Sequence, residues 1–268
     1  MYEFSMENST ISNCTATSFG GAIWIGGNEI TKQIWTGDVK ITGNTASAGG
    51  GIYSAATLTL DNCTISNNTA NVRGGGLAAT GSLTLGSGVV VSNNTASRGG
   101  GGGVFISGSN NVLTVNCIIS GNTAGTAGGG IFCSTGKLIS SSQCRVSNNK
   151  ANLGAGIYFD RTDSTSTINC TIMQNIATKN GGGIYVRGST LTIDSCTIYG
   201  NSASSGGGVY IDNDSTAIII DATISNNEST YSSLDGTVAG GGGVFNAGTL
   251  EINIGKISGN TATTNGGG

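Results

Sequence analysis

Carboxylates and a guanidinium recur at one repeat position of this 268-residue chain. Asp160, Arg187 and Asp212 each stand three residues after the aliphatic residue of a Gly-x-Gly-[Ile/Val]-Tyr stretch, and Arg161, Asp163 and Asp214 are close by in sequence. Two polysaccharide chemistries use such a set. A lyase places a basic residue beside carboxylates that hold calcium, which neutralises the acid group of the substrate; a hydrolase uses a pair of carboxylates. A charge ladder, in which Arg187 separates two acids that would otherwise repel, explains the same residues without a ligand. The chain has no histidine and only 9% charged residues, a small vocabulary for acid–base catalysis. A non-catalytic protein is therefore the expectation. Polysaccharide binding or cleavage through Asp160, Arg187 and Asp212 is the alternative.

Five of the seven cysteines, Cys63, Cys117, Cys144, Cys170 and Cys196, share another repeat position, which Val89 and Ala222 fill elsewhere. A slot that accepts Val and Ala treats Cys as a small hydrophobe. Side chains stacked in parallel register point the same way, so free thiols are favoured over disulfides. No Cys-x-x-Cys pair and no histidine occur, so no metal site of zinc type is expected. Calcium at the charged cluster is the one cofactor the residues suggest.

A third column is aromatic. Trp24, Tyr53, Phe105, Phe132, Tyr158, Tyr185, Tyr210 and Phe245 each follow an aliphatic residue of the glycine-led stretch, and Ala78 breaks the row. Strand alternation points them outward. A long apolar stripe beside bare glycines reads as a binding face. Stacking of the rings on one another is the competing reading.

The elements that position these columns follow from the repeat. Asn44, Asn68, Asn94, Asn122, Asn149, Asn175, Asn201, Asn227 and Asn260 mark a period, with most steps 24 to 28 residues, and Cys14 stands in the first such slot. Each period carries three short alternating runs, such as "GGGIY", "LTI" and "CTIS", separated by turn residues. Three strands cannot bury a core alone, but stacked coils can, each strand pairing in parallel with its copy one coil later. The sequence thus predicts an all-β parallel β-helix over residues 1–268. It would have about ten coils of roughly 26 residues and be on the order of 50 Å long. The stacked Asn residues form an amide ladder at a bend. Alternation predicts inward columns led by Ile52, Leu58 and Ile65 and their repeats.

The paired motifs resemble the polymorphic outer membrane protein repeats of chlamydial surface proteins. "GGAI" stands at Gly20–Ile23 with variants "GGGI", "GGGL" and "GGGV" later, and the partner motif appears as "ITGN", "ISNN" and "ISGN" with Ile in place of Phe. The resemblance covers essentially the whole chain. It implies a right-handed β-helix displayed on a cell surface, with adhesion as its role.

Composition narrows the partners. A net charge of −3 offers no footprint for nucleic acid, and no apolar run is long enough for a membrane helix. An extracellular or cell-surface rod is expected, with surface glycan, protein or a second copy as partner. Its ends, open at a second strand and at Gly266–Gly268, are expected either to continue into a longer shaft or to stack end to end. Insertions are expected to leave the shaft at Asn28–Trp35 and Glu228–Val238.

Overall fold

Short runs of alternating β-branched and small polar residues give strands of two to five residues through most of the chain, and none is long enough to stand alone. Stacking supplies the missing partner. The computed structural model describes residues 5–27, 33–35, 37–162, 164–230 and 240–268. All its strand pairings are parallel, between runs one period apart, as in Ile52↔Leu77 and Leu77↔Val104.

Three sheets wrap the stack. Sheet I contains the nine strands that follow the glycines, from Ile23–Ile25 to Val244–Asn246. Sheet II has 17 strands and contains both the leucine runs, such as Leu83–Leu85, and the cysteine runs, such as Cys63–Ser66. Sheet III has nine strands that begin directly after the ladder Asn, as in Thr69–Arg73 and Thr95–Ala96. Two expectations are corrected here. The "LTI" and "CTIS" runs share one sheet, fusing into single ten-residue strands at Thr216–Ser225 and Thr249–Ser258. The Thr-Ala runs of sheet III, too short to show alternation, add a fourth strand segment to each coil. Nine strands in sheets I and III bound eight complete turns rather than about ten, roughly 40 Å of stack at strand spacing.

The predicted inward columns are the core. Ile52, Leu77, Val104, Leu58, Leu113, Ile65, Ile119 and Ile172 are all completely buried. Each such side chain contributes about 1.5–3 kcal/mol by leaving water. Val244, Leu250 and Ile257, in the last turn, are partly buried against the same core. The proposed insertions are cut back. Gln33–Trp35 is a sheet II strand in register with Leu58–Leu60, and Trp35 is completely buried. Glu228–Ser229 is a sheet III strand paired with Ser202–Ala203. The remainder, 28–32 and 231–238, lies outside the described residues.

The bend between sheets II and III needs two residues. The first turns the backbone left-handed: Asn67, Asn93, Asn148 and Asn226 have φ of 56°, 55°, 57° and 53°, and Gly43, Gly121 and Gly200 take the same place. Asn and Gly tolerate that region best. The second is the ladder Asn. The Asn68 side-chain amide donates to Ile41 O of the preceding turn at 2.9 Å and to Asn94 Oδ1 of the following turn at 3.0 Å. Asn94 Oδ1 also accepts the Asn68 backbone N–H at 3.0 Å. The pattern repeats from Asn44 to Asn260, and Cys14 joins through its N–H to Asn44 Oδ1 at 2.9 Å. Each amide from Asn44 to Asn227 thus ties three turns together with both its donors used.

The glycine triplet also serves the coil. Gly74 has φ +63°; a Cβ on Gly75 would stand 2.3 Å from Gly102 O, and one on Gly76 2.9 Å from Asn94 Nδ2. The bare surface expected there is occupied by the chain's own neighbouring turn.

The seven cysteines are free, and Cys14 is the one not buried. Cys170 N–H donates to Cys196 Sγ at 3.2 Å, and the Cys196 thiol donates to Ile168 O at 3.2 Å. Burial pushes the Cys117 and Cys133 thiols up to about 12.

Four outcomes are expected. Asn149→Ala or Asn175→Ala strands the donors of the preceding turn and lowers stability by roughly 1–3 kcal/mol, read from urea midpoints. Unchanged midpoints in both would refute the ladder's role. Gln174, at φ 55° in the slot that Asn or Gly otherwise fills, costs its fold some strain. Gln174→Gly should therefore raise stability by about 0.5–1 kcal/mol, and a loss would show that the Gln side chain itself matters. An alkylating reagent at pH 8 should label Cys14 first and the other thiols only on unfolding. The raised folded pKa values also fix a sign. Stability holds below pH 9, where the unfolded thiols begin to ionise. It then falls toward pH 12 by about 1.4 kcal/mol per pH unit for each of Cys117 and Cys133.

Candidate functional site

The outward side of sheet I carries both columns singled out in the sequence. Register places Trp24, Tyr53, Ala78, Phe105, Phe132, Tyr158, Tyr185, Tyr210 and Phe245 in one row, each on the next turn. Turns at strand spacing stand wider apart than the thickness of an aromatic ring, so the rings lean over to touch. From Phe105 to Phe245 the centroids follow one another at 5.2, 4.9, 5.1, 4.8 and 4.7 Å. Where Ala78 leaves a gap, the Arg73 guanidinium lies 5.2 Å from the Phe105 centroid, a cation–π contact that continues the stack.

The expected exposed stripe is only exposed at one end. Tyr158 and Tyr185 are 4% and 7% accessible, packed beside Ala127 and Leu153, while Trp24 is 60% accessible. The alternation that turned the rings outward was right. Their burial comes from the stack itself and from the corner residues entering sheet I, which alternation does not describe. One functional residue was missed. Phe19 stacks on Tyr53 at 4.6 Å and, with Trp24, Gly26, Gly27 and Ala55, lines an open cleft at the exposed end of the row. Its place is a corner column shared with Ala48, Arg73, Ala127, Leu153, Asn180 and Ser205, in which Phe19 is the one aromatic of the described pairs.

The charged residues meet on the edge of the same sheet. Asp160 is in register with Arg187, and its Oδ1 receives Arg161 Nε at 3.3 Å and Arg187 at 3.7 Å. Asp212 accepts the Tyr185 hydroxyl at 2.8 Å. Burial, with Asp212 adding to it, raises the Tyr185 phenol above its ordinary range; burial raises Tyr158 too, against the pull of its bond to Arg187. Both phenols therefore remain protonated donors at physiological pH. The structure brings Asp160, Arg187 and Asp212 together as expected and adds Tyr158 and Tyr185, which sequence reasoning assigned only to the aromatic row. Asp214 sits exposed at a turn with φ 58°. Asp163 lies outside the described residues. Among the described residues no three Asp, Glu or Cys side chains converge as a metal site would need. Asp160 is engaged by Arg161 and Arg187, and Asp212 by Tyr185.

These features define a class: a parallel β-solenoid with an internal amide ladder and an external aromatic stack. A family model described as a right-handed β-helix region matches residues 3–172 and 155–268, so the chain belongs to that family. Comparison with curated proteins and with solved structures gave no match. Among the described residues no helix is long and apolar enough to cross a membrane.

Proposed function

We propose that this chain is a non-catalytic shaft of an extracellular or cell-surface protein, structural in its length and adhesive at the open aromatic cleft. One observation carries the reading: the accessibility of the aromatic row runs from 4% at Tyr158 to 60% at Trp24. Most of the row is spent on the shaft's own packing. Phe19 and Trp24, 44% and 60% accessible, are the exposed rings among the described residues, and they stand beside the buried Tyr53 over a glycine floor. Flat aromatic faces beside bare backbone suit a sugar ring or an apolar side chain of a partner. The likeness of the glycine and Asn motifs to polymorphic outer membrane protein repeats supports display at a surface.

The test uses the contrast between the two tryptophans, since Trp35 is completely buried and Trp24 is not. Titration with a panel of soluble polysaccharides should shift or quench the emission of Trp24 alone, and Trp24→Ala should remove the response and weaken binding by about tenfold or more. Binding that survives Trp24→Ala, or a panel with no binder, would overturn the adhesive cleft. The Tyr185–Asp212 bond beside Asp160 and Arg187 favours one second reading, a polysaccharide-active edge. Calcium-dependent cleavage of polygalacturonate that Asp160→Asn abolishes would replace the first reading with that one.

A further inference from the structure

The charges of this chain are sorted by face. From residue 44 to residue 205, sheet III and its bends (44–48, 68–73, 94–99, 122–127, 149–153, 175–180 and 201–205) contain four cations and no carboxylate; the turn after them brings the exposed Glu228. Of these cations, Arg98, Lys150 and Lys179 are exposed, and Arg73 caps the aromatic stack at the edge. Their neighbours on the face are mostly Thr, Ser, Asn and Gly, with Val72 and Ile176 exposed among them. The leucine half of sheet II has the opposite character in the last turns. Residues 188–195, 214–221 and 246–254 contain four carboxylates and no cation. Asp214, Asp221 and Glu251 are exposed there, and Asp194 is half-buried at the end of the flat strand Thr190–Asp194.

We infer that the cationic sheet III face of one copy docks on the acidic sheet II face of a second copy. The inference rests on the shaft reading above and names the surface through which shafts associate. Two occupants fit a basic face, a polyanion or a complementary protein. The chain as a whole has net charge −3, so a polyanion is repelled at long range, whereas a second copy presents its own acidic face. Both faces are parallel sheets with exposed aliphatic side chains among the charges, Val72 and Ile176 on the cationic face and Ile252 and Ile254 on the acidic one, so the contact buries apolar surface as well. The two faces lie on different sides of the coil and at different heights. The cations span the middle turns and the acids the last three, so the docked copies are staggered along the axis. A contact between unlike, staggered faces does not close on itself, and it propagates laterally.

Individual exposed ion pairs are weak, so the association depends on the sum of several and on low salt. Light scattering and sedimentation of the full chain at about 20 mM and about 500 mM salt should show oligomers that fall by roughly tenfold or more in association constant at the higher value. Lys150→Glu with Lys179→Glu should be monomeric at low salt, as should Asp214→Lys with Asp221→Lys, each keeping its β-sheet dichroism. Mixing the two reversed proteins should restore pairing, because the reversed faces complement each other. Oligomers insensitive to salt and to both reversals would overturn this pair of faces while leaving a self-associating shaft. A monomer at every concentration and salt would overturn the docking and the self-association it rests on, without touching the cleft. A monomeric chain that binds polygalacturonate, and loses it in Lys150→Glu with Lys179→Glu, would reassign the face to a polyanion.

Discussion

The bend between sheets II and III has to be satisfied by the next turn, and this constraint shapes the sequence. Its backbone carbonyls and amides face an apolar interior, where an unpaired polar group costs roughly 1–3 kcal/mol. The ladder amide answers with two donors and one doubly used acceptor: Asn94 takes both bonds from Asn68 and gives its own to Ile65 O and Asn122 Oδ1. Such a side chain works only if its copy stands directly above and below. A turn of different length is tolerated, as the 33-residue step from Asn227 to Asn260 shows: both ladder bonds to Asn260 Oδ1 are kept across it. A turn with another residue at the bend breaks the chain of amides, and Cys14, where the ladder ends, supplies only its backbone N–H to it.

Register imposed at the bend propagates around the coil. The glycines that follow are needed because the next turn's carbonyls and the ladder amides already occupy the volume of their side chains. The aromatic residues then stand one above another and must lean to touch, which turns an outward row into a covered stack. Even its gap is filled by a neighbour, Arg73 over Phe105. The columns that looked like recognition chemistry are largely consequences of stacking.

This explains what could be read in advance. Period, parallel stacking, the ladder and the inward columns at Ile52, Leu58 and Ile65 were legible because each is a local alternation multiplied by repetition. Sheet III was not, since a Thr-Ala pair is too short to alternate. The joining of the leucine and cysteine runs into one sheet was hidden by the turn residues between them, such as Asn62 with φ 50°, which bend the chain without ending the sheet. Trp35 was taken for an insertion because its strand departs from the "LTL" spelling, although it fills the position of Leu60. At the candidate site, the charged column was legible from spacing. Its hydroxyl partners were not, because Tyr158 and Tyr185 reach it by leaning along the row.

A solenoid of this kind divides its positions into two sorts. Inward, ladder and glycine positions are pinned by the turn above and the turn below, so a departure there is penalised twice. Outward positions on flat sheets are pinned by neither. In sheet III the same slot holds Thr123, Lys150 and Ile176 on successive turns, while the Ala beside it persists at Ala124, Ala151 and Ala177. Variation that the stack does not require is where selection for a partner can act without cost to the fold. The gathering of cations on the middle turns of sheet III is variation of that sort. Asp214 and Asp221, at φ 58° and 47°, also suit the left-handed turns they occupy, but stacking asks for no charge at Arg98, Lys150 or Lys179, where threonine would serve the sheet as well.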